Sequence, residues 1–242
     1  MIDCVSVENM RLSDRLTIES GVSSLTLIGR AAYAVYCSVD WKVPVAIVAG
    51  SGNNGADGFA LAEILHERGI GCCVYTVSQR LHSDADFYAA RCAERGVPVV
   101  PYEIGCLKGY KTIVDCMLGT GFSGALKPIY KQAIEEFNKS DAYVVSVDIN
   151  SGMNGDSGFC EIAVRSDLTV TIGFVKRGLI VPAAGAYIGR LVCVDIGIPL
   201  AEKEDMICGE GETENCGIDG TGNYHPCPRW LDMDIKRYYA DE

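Results

Sequence analysis

The sequence predicts an α/β fold: a three-layer sandwich whose mostly parallel central sheet carries helices on both faces, with N-terminal helices packed on it. The first observation is a set of short, continuous apolar runs, such as residues 43–49 and 142–148, which suit strands buried on both faces. The second is that segments with helical spacing alternate with these runs. Repeated β-α-β units of this kind form a parallel sheet between helices.

The individual elements follow from apolar spacing and from the residues that end each run. Strands are predicted at 43–49, 72–77, 97–100, 112–115, 142–148, 168–172 and 191–194. One or two helices are expected over 11–40, and another over 84–95 that ends at Gly96. A helix after the first strand carries Leu61 and Leu65 on one stripe and ends at Gly69, and Pro128 suits the first turn of a further helix.

Length and composition predict one domain and a tail. The chain has 242 residues, 48% of them hydrophobic and 22% charged, which is typical of a soluble globular protein. We expect a domain over residues 1–200 and an acidic, partly flexible tail over 201–242, which is rich in Gly, Glu and Asn. No apolar stretch is long enough for a membrane helix, and the N-terminus lacks the apolar run of a signal peptide, so we expect a cytoplasmic protein without a membrane partner.

The acidic charge disfavours nucleic acid as a partner. The formal net charge is -11, whereas a phosphate-backbone binder needs a basic face. The tail holds 11 acidic and 4 basic residues, so it accounts for -7 of this charge. The body is therefore only mildly acidic.

The twelve cysteines indicate neither a disulfide framework nor a metal site. No C-x-x-C pair occurs, and the wide spacing of the candidate ligands in the tail disfavours zinc: Cys208, Cys216, His225 and Cys227. Four cysteines in apolar strand-like runs are predicted to be reduced core thiols: Cys72, Cys73, Cys116 and Cys193.

Three polar loops predict a site at one edge of the sheet. Residues 50–58, 115–125 and 148–152 each follow a predicted strand. A single acidic residue there could be a helix cap or a turn former. Because ligands bind beyond the carboxyl ends of parallel strands, three converging polar loops favour a binding site.

The first loop resembles a dinucleotide fingerprint only in part. Gly50, Gly52 and Gly55 match G-x-G-x-x-G after a strand. The second strand, however, lacks the acidic residue that binds the ribose, which disfavours an ordinary dehydrogenase. A helix N-terminus at this loop could still hold a phosphate group.

The remaining chemistry of the loops is that of oxygen ligands. The three histidines are not placed for a Ser-His-acid triad, and no P-loop motif is present. The loops supply carboxylates, amides and hydroxyls: Asp57, Asp115, Asp148, Asn53, Asn54, Thr120 and Ser151. Such a set suits a hard cation, and one carboxylate could alternatively act as a general acid or base.

The three loops resemble the signatures of the NAD(P)H-hydrate epimerases, the YjeF N-terminal domain family. The matching segments are 52–58 (GNNGADG), 115–121 (DCMLGTG) and 148–152 (DINSG). Supporting matches are Met10, Arg11 and Asp14 at the front, and Lys176, Gly178 and Leu179 at the back, within about residues 5–199. The resemblance implies a Rossmann-like sandwich.

The resemblance also implies an activity and its residues. Members interconvert the R and S forms of NADH or NADPH hydrated at carbon 6 of the nicotinamide ring, and a separate dehydratase restores the S form. By motif matching, the hydrate would contact Asn53, Asn54, Gly55, Ala56, Asp57, Gly119, Thr120, Gly121, Phe122, Ser123, Gly124, Ala125 and Asp148. Asn54, Asp115 and Ser151 would hold a potassium ion, Asp148 would be the acid/base, and the chain would form a homodimer.

Two departures from the family pattern have structural consequences. Ala56 replaces a glycine, which would strain the loop if that position needs a positive φ. Asn150 replaces a proline and is expected to loosen the turn after Asp148. The alternative function is a non-catalytic nucleotide- or protein-binding module on the same fold.

Overall fold

The computed structural model describes residues 4–204, together with the backbone of three short segments nearer the C-terminus. The helices are α1 (Val7–Glu19), α2 (Ser24–Ser38), α3 (Asn53–Glu67), α4 (Ser83–Glu94) and α5 (Pro128–Lys139). The strands are β1 (Cys4–Val5), β2 (Val45–Ala49), β3 (Cys72–Thr76), β4 (Val99–Pro101), β5 (Thr112–Cys116), β6 (Tyr143–Val147), β7 (Ser166–Ile172), β8 (Val175–Lys176), β9 (Ile188–Val194), β10 (Gly217–Ile218), β11 (Tyr224–His225) and β12 (Leu231–Asp234).

The central sheet has the strand order β12-β9-β7-β6-β5-β2-β3-β4. All neighbouring pairs are parallel except β12, which pairs antiparallel with β9. The chain runs from β2 outward to β3 and β4, then returns to β5 on the other side of β2. This reversal places a crevice between the loops that follow β2 and β5.

Helices cover both faces of this sheet, so the predicted three-layer α/β fold is confirmed. Residues of β2 alternate between two cores: Val45, Ile47 and Ala49 pack with α2, α3 and α4. Ala46 and Val48 face the opposite layer, where α5 packs. This alternation is the reason that β2 is apolar throughout.

The predicted strands and helices are confirmed, with shifts of a few residues at their ends. Gly69 and Gly96 follow α3 and α4 with φ of 73° and 77°, the left-handed conformation in which glycine ends a helix. The polar segment 50–58 differs from the prediction of a loop, because α3 already begins at Asn53. Only residues 50–52 connect β2 to the helix.

Helix α1 is fixed at its N-terminus by a residue from far along the chain. Ser6 is the N-cap and its Oγ accepts from the Asn9 N–H. The Glu204 carboxylate in turn accepts from the Ser6 N–H at 3.1 Å and from Asn9 Nδ2 at 2.8 Å, and it pairs with Arg177. These bonds satisfy donors that a helix end would otherwise leave unpaired.

The tail and the cysteines add two observations. β12 lies within the segment predicted to be a tail and extends the sheet at β9, whereas the cysteines of 208–227 lie outside the described residues. The predicted thiols of Cys72, Cys73, Cys116 and Cys193 are free, while Cys4 is disulfide-bonded. Within the described part of the chain, no helix combines the length and apolarity needed to cross a membrane.

Candidate active site

A pocket of about 890 Å³ opens at the carboxyl ends of β2, β5 and β6. The three predicted loops meet there, and α1 and α2 form the opposite wall. Ten of the predicted substrate residues line the pocket: Asn53, Asn54, Asp57, Gly119, Thr120, Gly121, Phe122, Ser123, Ala125 and Asp148. Gly55, Ala56 and Gly124 are not among the lining residues.

The start of α3 is held close to the sheet by glycines. A Cβ on Gly50 would lie 2.0 Å from the Met117 carbonyl oxygen, and one on Gly55 would lie 2.0 Å from the Gly50 carbonyl oxygen. Ala56 is buried within the first turn of α3, so its replacement of a glycine does not strain the chain. Since Gly52 supplies no side-chain cap, the first N–H groups of α3 remain available to an anion.

Asp115, Ser151 and Asn54 converge beneath the pocket around Leu118. Ser151 Oγ donates to Asp115 Oδ1 at 2.5 Å and accepts from the Leu118 N–H at 2.9 Å. Asn54 Nδ2 donates to the Leu118 carbonyl at 3.0 Å. Burial raises the pKa of Asp115 to about 6, against the opposing effect of the hydrogen bonds from Ser151, Met117 and Ser146.

The amide oxygen of Asn54 is buried and has no hydrogen-bond partner. An unpaired buried acceptor is costly, so such an atom indicates a missing ligand. The neighbouring side chains of Asp115 and Ser151 carry a carboxylate and a hydroxyl group, which are oxygen ligands of the kind that hard cations prefer. The three predicted metal residues therefore supply oxygen ligands of the type that an alkali cation prefers.

Asp148 is held at the pocket by a buried ion pair. Lys176 Nζ lies 2.5 Å from Asp148 Oδ1, and the two side chains are 1% and 13% exposed. The ammonium also donates to the Ile172 carbonyl at 2.6 Å and to Thr171 Oγ1 at 3.2 Å. Asp148 has a φ of 68°, the only positive value at a non-glycine residue in the described part of the chain. The carboxylate of Asp148 lies close to Gly119, since a Cβ added to Gly119 would be 3.0 Å from Asp148 Oδ2.

Two further carboxyl groups surround this ion pair. Burial raises the pKa of Asp14 on α1 to about 6, because Lys176 offsets only part of that effect while Asp148 adds to it. Burial likewise raises the pKa of Asp57 well above its ordinary value, and Asp148 and Asp14 raise it further. The pocket thus holds two carboxyl groups with raised pKa values, Asp14 and Asp57, beside the ion pair of Asp148 and Lys176.

The side chain of Asn150 restrains the turn after Asp148. Its Nδ2 donates to the Val164 carbonyl at 2.9 Å and to Ser166 Oγ at 3.0 Å, and its Oδ1 accepts from Thr169 Oγ1 at 2.7 Å. Asn150 is fully buried. The expectation that loss of proline loosens this turn is therefore wrong, because buried hydrogen bonds take the place of the rigid ring.

Sequence reasoning gave Asp14 and Lys176 no role at the site. Both residues were part of the supporting motif matches, and both line the pocket. Lys176 lies in β8, a short strand that pairs with β1 rather than with the central sheet, so no pattern of strand ends pointed to it. Asp14 lies within an amphipathic helix, where an acidic residue ordinarily faces solvent.

The fold and the pocket define an α/β protein with a ligand crevice at the reversal of its strand order. The model for the YjeF-related protein N-terminus matches residues 22–178. The chain belongs to this family, as its three loop motifs predicted.

Similar proteins include an NAD(P)H-hydrate epimerase from Limosilactobacillus fermentum, 35% identical over 199 residues that cover 79% of this chain and 95% of that protein. A bifunctional NAD(P)H-hydrate repair enzyme from Coxiella burnetii is 36% identical over 196 residues, which cover 78% of this chain and 40% of that protein. The chain thus spans less than half of the bifunctional relative. The crystal structure of the yeast protein YNL200c shares the fold, with a TM-score of 0.66 at 22% identity over 80% of this chain and 88% of that one.

Proposed function

We propose that this chain is an epimerase that interconverts the R and S forms of hydrated NADH and NADPH. The observation that carries the proposal is the Asp148 carboxylate, held at the pocket by Lys176 in a member of this family. The name of the Limosilactobacillus fermentum relative, which this chain matches over 95% of its length, supports the same reaction.

The pocket offers separate places for the two ends of such a substrate. The N–H groups at the start of α3, which no side chain caps, suit the pyrophosphate, because a helix N-terminus attracts anions without requiring a basic surface. Residues 53–57 and 119–125 would then contact the dinucleotide along the crevice. The nicotinamide end would lie against Asp148, at the closed end of the crevice formed with Lys176.

Epimerisation at carbon 6 needs proton transfer and no redox partner. The carbon carries a hydroxyl group beside a ring nitrogen, so its configuration can be reversed by loss and return of water or by ring opening. Either route requires a proton to be moved to or from oxygen. Asp148 is suited to this transfer, because its ion pair with Lys176 holds its carboxyl group in position at the pocket.

Asn54, Asp115 and Ser151 would hold a potassium ion beneath the substrate loops. The unpaired Asn54 amide oxygen supports this assignment. A bound cation there would supply positive charge that compensates Asp115 and orders the segment that carries Leu118. Asp148 is three residues before Ser151, so order in this segment also positions the acid/base.

Potassium is expected to raise the midpoint of thermal unfolding by about 2–8 °C over choline at equal ionic strength, because a cation that binds only the folded state stabilises it. In Asn54→Ala the difference between the two salts should vanish. Asn53→Ala, one residue away and outside the proposed ligand set, should keep it. Equal midpoints in both salts for the wild-type protein would contradict the potassium site.

The activity itself is tested with purified R-hydrate of NADH and an S-specific dehydratase in excess. Addition of the wild-type chain should accelerate the recovery of NADH absorbance well above the rate without it. If the rate is unchanged while hydrated NADH still raises the unfolding midpoint, the chain is a non-catalytic nucleotide-binding module instead.

The proposal extends to partners and location. We propose that an NAD(P)H-hydrate dehydratase acts in the same pathway, as the name of the bifunctional repair enzyme from Coxiella burnetii suggests. We further propose a cytoplasmic homodimer, in keeping with the resemblance, and no nucleic-acid partner, because the net charge of -11 disfavours one.

A further inference from the structure

Helix α1 presents one face to the pocket, and Asp14 lies at its centre. The residues of α1 that line the pocket include Arg11, Asp14, Arg15 and Ile18, which follow the i, i+3, i+4, i+7 spacing of one helical face. Arg11 donates to the Thr120 carbonyl at 2.5 Å and so ties this face to the loop after β5. The position of Asp14 is therefore fixed relative to the proposed substrate loops.

Asp14 and Asp148 reach the pocket from different walls. Asp148 directly follows the carboxyl end of β6. Asp14 lies on α1, and both residues line the pocket. Asp148 lies close enough to Asp14 for its charge to raise the pKa of Asp14, whereas the charge of Lys176 lowers that pKa. A ring bound in this pocket would therefore be approached by carboxyl groups from two separate segments of the chain.

The two groups also differ in their surroundings. Asp148 accepts a charge-assisted hydrogen bond from the Lys176 ammonium. Burial raises the pKa of Asp14 to about 6, which favours its neutral carboxylic acid form. Two carboxyl groups in different surroundings within one site can take different acid and base roles.

We propose that Asp14 is a second catalytic residue, which donates the proton while Asp148 accepts one on the opposite face of the ring. This inference rests on the proposed epimerase function. In the forward step the carbon 6–oxygen bond breaks, the hydroxyl leaves as water with the proton of Asp14, and the nitrogen lone pair forms a double bond to carbon 6. Water then adds to the other face, and Asp148 takes its surplus proton.

Atoms and charges balance over this sequence. One water leaves and one returns, and one proton passes from Asp14 to Asp148. The free enzyme is reset by proton exchange with solvent or by a turnover in the reverse direction, in which the two roles are exchanged. A single carboxyl group on one face could not serve both faces without moving.

The pKa of Asp14 is raised by burial, lowered by Lys176 and raised by Asp148. The other charged or titratable groups that line the pocket are Asp57 on α3, His82 before α4 and Lys127 before α5, with Arg11, Arg15 and Glu19 on α1 itself. Because the donor must be protonated, kcat/KM should fall as the pH rises through the pKa of Asp14, about 6.

The test compares Asp14→Asn, Asp14→Glu and the control Glu8→Gln, which removes one negative charge from an exposed position on the same helix. We expect Asp14→Asn to lower kcat about 100-fold with KM changed less than threefold, and to abolish the alkaline fall in kcat/KM. Asp14→Glu should regain at least tenfold over Asp14→Asn, and Glu8→Gln should match the wild-type chain. Unfolding midpoints confirm that each variant is folded.

Retention of more than half of the wild-type kcat by Asp14→Asn, or an unchanged pH profile, would overturn the role of Asp14 while leaving the epimerase function in place. A rise in KM alone would also overturn it, since that result marks a binding contact. An inactive wild-type chain would instead overturn the proposed function, and this proposal with it.

Discussion

Replacement of Asp148 by asparagine is expected to lower kcat for the R-to-S conversion by about 10²–10⁴-fold. The amide has nearly the shape of the carboxylate but cannot accept and return a proton. Asparagine also tolerates a positive φ better than most residues, so the 68° turn at this position should survive. The loss should therefore appear in kcat rather than in the fold.

The measurement is kcat and KM on purified R-hydrate, with the unfolding midpoint as a check on structure. Asp141→Asn is a matched control, because this exposed aspartate lies near the opposite end of the same strand, β6. It should leave both constants unchanged. Full activity of Asp148→Asn would refute the acid/base role directly.

The second large effect is expected on stability. Lys176→Met removes the cation of a buried ion pair whose members are only 1% and 13% exposed, and the change should lower the free energy of unfolding by about 3–5 kcal/mol. The cost arises because Asp148 is left charged and unpaired among the carboxyl groups of Asp14 and Asp57. Urea denaturation at pH 7.5 measures it.

A double variant separates the lost charge from lost packing. Lys176→Met combined with Asp148→Asn should recover much of the stability, since no unpaired carboxylate remains at this position. Lys131→Met is the control: its ion pair with Glu161 is exposed, with side chains 45% and 77% accessible, so its loss should leave the free energy of unfolding nearly unchanged. A double variant no more stable than Lys176→Met would indicate that packing carries the effect.

The loss of unfolding free energy caused by Lys176→Met is expected to depend on pH. Lys176 lowers the pKa values of Asp14 and Asp57, so its removal raises them further. A carboxyl group whose pKa is higher in the folded than in the unfolded protein favours folding at low pH and loses that contribution as the pH rises. The destabilisation should therefore be greater at pH 8 than at pH 5.

The fold could be predicted because its signals are local. A run such as that of β2 is apolar at every position since both faces of the sheet are covered, and glycines such as Gly69 mark helix ends by backbone conformation alone. The start of α3 could not be placed in this way. Asn53 and its neighbours have the composition of a loop, and the close approach of Gly55 to Gly50 that accompanies their helical form is not visible in the sequence.

The candidate site was predictable to the extent that its residues follow strands. Asp115 and Asp148 can be recognised in the sequence because each is a polar residue at the end of an apolar run. Lys176 and Asp14 do not, because their importance depends on contacts between segments 28 or more residues apart. Asn150 was misjudged for the same reason, since its hydrogen-bond partners lie 14 to 37 residues further along the chain.

The hydrogen bonds between Glu204 and the start of α1 join two segments that lie far apart in the sequence. Helix α1 carries Arg11 and Asp14 into the pocket, yet its first turn is secured by a carboxylate that lies beyond the last core residues of β9. A domain that ended at residue 200, as predicted, would lack Glu204 and these hydrogen bonds. Loss of the Glu204 carboxylate would therefore remove hydrogen bonds from the first turn of the helix that carries Asp14 into the pocket.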